Sequence, residues 1–108
     1  MSREERVARN EALFREVNER IKQVNESLEP GSESEFLCEC GDPDCTTAIS
    51  LTLAEYEGVR KVATHFAVLP GHSDPSVDQV IARNDRFVVV EKTEPEAAKV
   101  TVREDPRS

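Results

Sequence analysis

The chain has 108 residues, 37% hydrophobic and 33% charged, with four Phe, one Tyr and no Trp. Such a length bounds one small domain with a thin core, the kind of chain that needs a staple, a metal or a partner. The net charge of −8 disfavours general binding to phosphate backbones or anionic headgroups, and suits a protein that meets a basic surface on another protein.

The N-terminus, MSREERVARNEALF, is charged throughout and lacks an apolar signal core. No apolar stretch approaches the roughly 20 residues a membrane span requires. The expected location is therefore cytoplasmic, without membrane contact. Three cysteines form an odd set crowded between positions 38 and 45. A secreted disulfide framework is normally even and dispersed, so reduced thiols that hold a metal fit better.

Residues 3–28 read as one helix, opened by a capping box of Ser2 and Glu5. Apolar residues recur at Val7, Phe14, Val17, Ile21, Val24 and Leu28, the last five at the 3, 4, 3, 4 steps of a heptad seam. At ~1.5 Å per residue the helix would be about 39 Å long, more than so small a body covers. Phe14, Val17, Ile21 and Val24 are therefore candidates for a partner-binding or homodimer seam. The competing reading packs the stripe against the chain's own core.

Pro30-Gly31-Ser32-Glu33-Ser34 stops the helix and reads as a hinge. Phe36-Leu37 and Ala48–Leu51 read as short strands flanking the knuckle CECGDPDC. Thr52 and Glu55 form a second capping box, which opens a helix from Leu53 to about Val62. Phe66–Leu69 reads as a strand ended by Pro70-Gly71. Asp74-Pro75-Ser76 is expected to open a short helix over Val77–Ala82. Arg83-Asn84-Asp85 reads as a turn, and Phe87–Val90 is the most strand-like run. The end turns polar, with a short edge strand at Val100–Val102 and a frayed terminus.

The motif that carries chemistry is C-x-C-x4-C at Cys38, Cys40 and Cys45, followed by His72. Zinc takes four N or S ligands in a tetrahedron, with Zn–S about 2.3 Å, so neighbouring ligands sit about 4 Å apart. Gly41, Asp42, Pro43 and Asp44 form a knuckle that lets three sulfurs converge. On extended chain, Cys38 and Cys40 share a face. The fourth ligand could come from His65, His72, Asp42 or Asp44. His65 and His72 bracket a strand and would stand about 23 Å apart at ~3.3 Å per residue, so one of them at most is a ligand. His72 follows a Pro-Gly turn that can aim it, and is favoured. Three thiolates and one imidazole leave no open position, which marks a structural site whose binding free energy becomes folding free energy. Iron suits the same thiolate-rich donors. With zinc and three thiolates the net charge becomes −9.

Glu33, Glu35, Glu39, Asp42 and Asp44 read as an acidic ring about the knuckle, either a docking patch or a solvated face. Arg83-Asn84-Asp85-Arg86 reads as a turn rather than an anion site. Ser50, Thr52 and Ser73 have no evident base apart from the histidines, so no catalytic set assembles.

The segments ARNEALFREVNERI, CECGDPDC, ISLTLAEYEGVR, VLPGHSDP and FVVVEK resemble a family of short bacterial proteins with no established activity. The likeness spans most of residues 8–92. It implies no reaction or substrate, but it implies that the cysteine knuckle and the PGH element belong to one design. A long helix beside a zinc knuckle is also similar in outline to DksA-like regulators of RNA polymerase. Those carry a helical hairpin and a four-cysteine finger, where this chain has one long helix and three cysteines. The likeness is one of layout.

The expected fold is α+β. A long amphipathic helix occupies 1–29, a hinge 30–34, a zinc-stapled domain 35–93, and a polar tail 94–108. The domain holds short antiparallel strands and two short helices. The expected function is that of a small zinc-binding regulatory or adaptor protein acting through protein contacts. The alternatives are a small zinc enzyme with an open fourth position and a thiol-based redox sensor.

Overall fold

In a computed structural model, which describes residues 2–27, 29, 31–45 and 47–107, the chain is mixed α+β with three helices and two small antiparallel sheets. Ser2 and Glu5 cap each other as expected and start α1, Arg3–Val24. The helix stops four residues before the expected end. There Asn25 turns its side-chain amide back onto the Ile21 carbonyl at 2.8 Å. Leu28, the last position of the expected seam, lies outside the described residues. None of the described helices is long and apolar enough to cross a membrane.

Strand β1, Glu33–Leu37, pairs antiparallel with β2, Ala48–Thr52. The strand takes up Glu33 and Ser34, which were expected in the hinge; Pro30 is not among the described residues. Side chains alternate, so Ser34, Phe36, Ile49 and Leu51 face inward. The second capping box opens α2, Leu53–Arg60. A second sheet follows, made of β3, His65–Val68, β4, Asp78–Arg83, and β5, Val88–Lys92, in the order β3-β5-β4. Phe36 and Tyr56 stack with ring centres 4.6 Å apart, and Ile49, Leu51, Val59, Phe66, Val68, Val88 and Val90 complete the core around them.

Two expectations fail here. The first is the helix over Val77–Ala82, most of which is strand β4. Asp74 does start a helical turn, with its carbonyl accepting from the Val77 and Asp78 N–H groups. The turn goes no further because the valine-rich β5 needs a partner on each edge, and Val80, Ile81 and Ala82 supply one with a bulge. The second is the tail. Residues expected to be polar coil with an edge strand at 100–102 form α3, Pro95–Arg103. Glu94 caps it by accepting from Ala97 N–H at 2.7 Å, and Pro95 occupies the first turn. Ala97, Val100 and Thr101 sit at helical spacing on one buried face. With Ala8 and Val77, Ala97 and Val100 form a second small core.

The largest departure from the apolar seam is on the underside of α1. Its buried residues are Ala8, Glu11, Ala12, Arg15, Asn18 and Glu19. Val17 and Val24 of the expected seam are 37% and 80% exposed, and Leu13 is 56% exposed. Phe14 is half-buried, and Ile21 packs against the core. Polar pairs therefore join α1 to the body. The Lys92 ammonium bridges Glu11 and Asp78. Arg15 lies 4.4 Å over the Phe66 ring and donates to the carbonyls of Ala63 and Thr101. Glu19 accepts from Arg60, Arg107 and Tyr56.

Glu11 is 1% exposed, and its Oε2 has no partner among the described residues. Burial pushes its carboxyl up to about 8, a shift that Asp78 and Glu39 add to and Lys92 opposes. A raised folded-state value means that the proton stabilises the fold. That contribution is full below the ordinary carboxylate range and is lost as pH rises through about 8. Wild-type stability in urea should therefore fall on the order of a few kcal/mol more steeply between pH 6 and 9 than that of Glu11→Gln. Equal pH slopes for the two proteins would contradict the assignment.

Candidate metal centre

The centre begins where β1 leaves its sheet. Cys38 N–H still bonds to the Thr47 carbonyl at 2.9 Å, beside β2, and the next residue, Glu39, donates its N–H to Ala67 of β3 at 2.9 Å. The chain thus stays extended while it crosses from one sheet to the other. Extended geometry sends Cys38 and Cys40 to one side and Glu39 to the other. The Glu39 carboxylate accepts from Ala67 N–H and Asn18 Nδ2, each at 2.9 Å. Glu39 is 0% exposed, so it does not belong to the acidic ring expected around the knuckle. Burial raises its carboxyl above the usual range, against the pull of Asn18, Ala67 and the nearby arginines.

The knuckle turns as its residues require. Asp42 Oδ1 accepts from Asp44 N–H at 2.9 Å, and its carbonyl accepts from Cys45 N–H at 3.1 Å. Asp42 and Asp44 are exposed. After β3 the chain reverses through Leu69-Pro70-Gly71-His72, with His72 N–H donating to the Leu69 carbonyl at 2.9 Å. Gly71 has φ 89°, the left-handed value that the third position of a type II turn demands. This reversal brings His72 back toward the cysteines. Leu69 N–H also donates to Cys38 Sγ at 3.1 Å, which favours a thiolate there.

The four donor atoms of Cys38, Cys40, Cys45 and His72 all lie within 4.8 Å of one another. His72 Nδ1 stands 3.6 Å from both Cys38 Sγ and Cys45 Sγ. A tetrahedron with Zn–S ~2.3 Å and Zn–N ~2.0–2.1 Å has S···N edges of about 3.6 Å. The cluster can therefore hold a metal ion, and the fourth donor within it is His72. His65, on β3 opposite Glu91, is not part of the group, and neither are Asp42 and Asp44. Cys38 and Cys40 are buried, Cys45 is half-buried, and His72 is on the solvent side.

Burial pushes the Cys38 and Cys40 thiols up from their ordinary value. Burial also opposes ionisation of Cys45, but hydrogen bonds from Thr47, Cys40 and Cys38 outweigh it and lower that thiol. A cation is what would let three thiolates share so small a space. Other candidate groups are engaged structurally. Thr52 Oγ1 caps α2. Arg86 holds Glu33 and Glu55, and Asn84 closes its turn by accepting from Arg86 and Phe87 N–H. The buried polar residues of α1 went unread in the sequence, because four charged or amide side chains at helical spacing look like a solvated face.

No family model, curated protein or solved structure matches the chain.

Metal binding must displace protons from the buried thiols. Affinity should therefore fall as pH is lowered from 8 to 6, with acid released on binding, as titration in weakly buffered solution would record. Cys40→Ser should lose stability on the order of several kcal/mol in metal-loaded protein. An unfolding midpoint unchanged by Cys40→Ser would mean that the fold does not depend on the centre.

Proposed function

We propose that this chain is a small zinc-stapled interaction module, a regulatory or adaptor protein that works through protein contacts in a reducing, cytoplasmic setting. The observation that carries the zinc reading is the convergence of three thiols and one imidazole within 4.8 Å of one another, with the imidazole 3.6 Å from two of the sulfurs. Zinc suits soft sulfur with a single nitrogen, and four protein donors leave no place for a catalytic water. That argues against a metalloenzyme with an open fourth position.

The adaptor part rests on the inversion of α1. A helix normally turns its apolar side inward. This one buries Glu11, Arg15, Asn18 and Glu19 and leaves Leu13, Val17 and Val24 toward solvent. The exposed apolar residues lie along one outer stripe and offer a contact surface for a protein partner, or for a second copy of the chain. Phe14 and Ile21 lean inward and support that stripe from below. The net charge of −8 suits a basic partner and disfavours nucleic acid.

Elemental analysis of protein purified without added metal tests the zinc reading. One zinc per chain in the wild type, much weakened in His72→Ala, is the expected result. Iron in its place, or a variant that binds as tightly as the wild type, would refute the closed zinc site. Val17→Glu with Val24→Glu should abolish partner binding or self-association, followed by cross-linking and light scattering, while zinc content stays at one per chain. Undiminished association in that double variant would refute the helix surface.

A further inference from the structure

The two loops that bring ligands to the centre also meet the first turns of α1. From the cysteine loop, Gly41 lies so close to the helix that a Cβ there would stand 2.2 Å from Val7 Cγ1. Its carbonyl accepts from Asn10 Nδ2 at 3.2 Å. From the histidine loop, Asp74 accepts from Arg3 at 2.7 Å, and Ser76 Oγ accepts from the same guanidinium at 3.0 Å. Between helix and loops is a cavity of about 460 Å³. Arg3 and Val7 contribute one side of its lining, and the ligands Cys40 and His72 contribute another part.

These contacts are individually weak. One is an ion pair whose arginine is 56% exposed, and another is a single hydrogen bond donated by a side-chain amide to a carbonyl. They can hold the helix together only while the two loops keep a fixed spacing. A metal shared by Cys40 and His72 would supply that spacing. From the third turn on, α1 is held independently of the loops: Ala8 packs with Val77, Ala97 and Val100, Lys92 bridges Glu11 to Asp78, and Arg15 and Glu19 have buried partners. Motion would therefore be confined to the first turn, residues 3–7.

Resting on the zinc reading above, we propose that the N-terminal turns of α1 form a clasp over the metal centre, so that helix docking and metal retention are coupled. Arg3 and Val7 form one wall of the open cavity that reaches Cys40 and His72, and undocking the helix removes that wall together with the contacts that fix the two ligand loops against each other. Coupling of this kind is reciprocal: the docked helix strengthens metal binding by the same factor by which bound metal strengthens docking.

The test uses the zinc-loaded full chain with Arg3→Ala and Asn10→Ala combined, neither of them a ligand. Zinc stoichiometry should stay at one per chain. Zinc affinity, read by equilibrium competition with a chromophoric chelator, should fall about tenfold. Amide exchange in the zinc-loaded variant should rise over residues 6–10, whose N–H groups bond back to the first turn, and stay unchanged over residues 11–24. Val7→Ala, which removes the side chain that packs on Gly41 and leaves the ligand loops unaltered, should reproduce both effects. Wild-type zinc affinity in both variants, or weaker affinity with unchanged exchange over 6–10, would overturn the clasp and leave the zinc centre standing. A wild-type chain that binds no zinc would remove both.

Discussion

Residues Leu37 to Cys40 tie together almost everything else in this protein. Over four residues the backbone finishes β1, bonds beside β2 through Cys38, and reaches β3 through Glu39. Asn18 of α1 reads the same segment, taking the Leu37 N–H and carbonyl as a neighbouring strand would and donating to Glu39. The alternation of an extended chain then does two jobs at once. It sends the Glu39 carboxylate into the interior as an acceptor for helix and sheet, and it leaves Cys38 and Cys40 facing the histidine loop. A slip of one residue would expose the carboxylate's partners and bury the wrong side chains.

The interior that results is unusual for its polarity. Lys92 with Glu11 and Asp78, Arg60 with Glu19 and Asp105, and Arg15 over Phe66 all lie between α1 and the body. Buried ion pairs contribute little net stability, because the cost of removing charge from water offsets much of their attraction. What they impose is placement. A helix joined to its core by several specific pairs has one depth and one rotation in which all of them are met. In so small a chain, the remaining stability has to come from the aromatic and aliphatic cluster around Phe36 and Tyr56, to which a metal held by the adjoining cysteines and His72 would add. Cys38 and Cys40 belong to that cluster, so the centre is continuous with the core.

The same arrangement frees the outer side of α1. Because polar contacts hold the helix from beneath, Leu13, Val17 and Val24 are not needed for packing. An adaptor reading uses them, and an enzyme reading has no use for them. The Cys38, Cys40, Cys45 and His72 cluster fits the same reading, since four protein donors would leave a bound metal no open position.

Much of this was legible locally. Both capping boxes announced helix starts that the structure keeps, because a cap depends on residues three apart. Four of the five strands were readable from β-branched and aromatic runs. The metal donors were readable because C-x-C on extended chain and a Pro-Gly turn before His72 each have one geometric consequence. What the sequence could not determine was anything that depended on a neighbour. Residues 78–83 become β4 because β5 lacks an edge partner, overriding the Asp-Pro-Ser helix start. Residues 95–103 become α3 because Ala8 and Val77 offer Ala97 and Val100 a surface. The rotation of α1 was decided by Lys92, Glu39 and Arg60, which are far away in the chain and turn charged residues inward that by themselves would prefer water. Local chemistry set where α1 and α2 start and which side chains could bind metal. Tertiary pairing decided which face of each element is inside, because burial of a charge is favourable only when its partner is already in place.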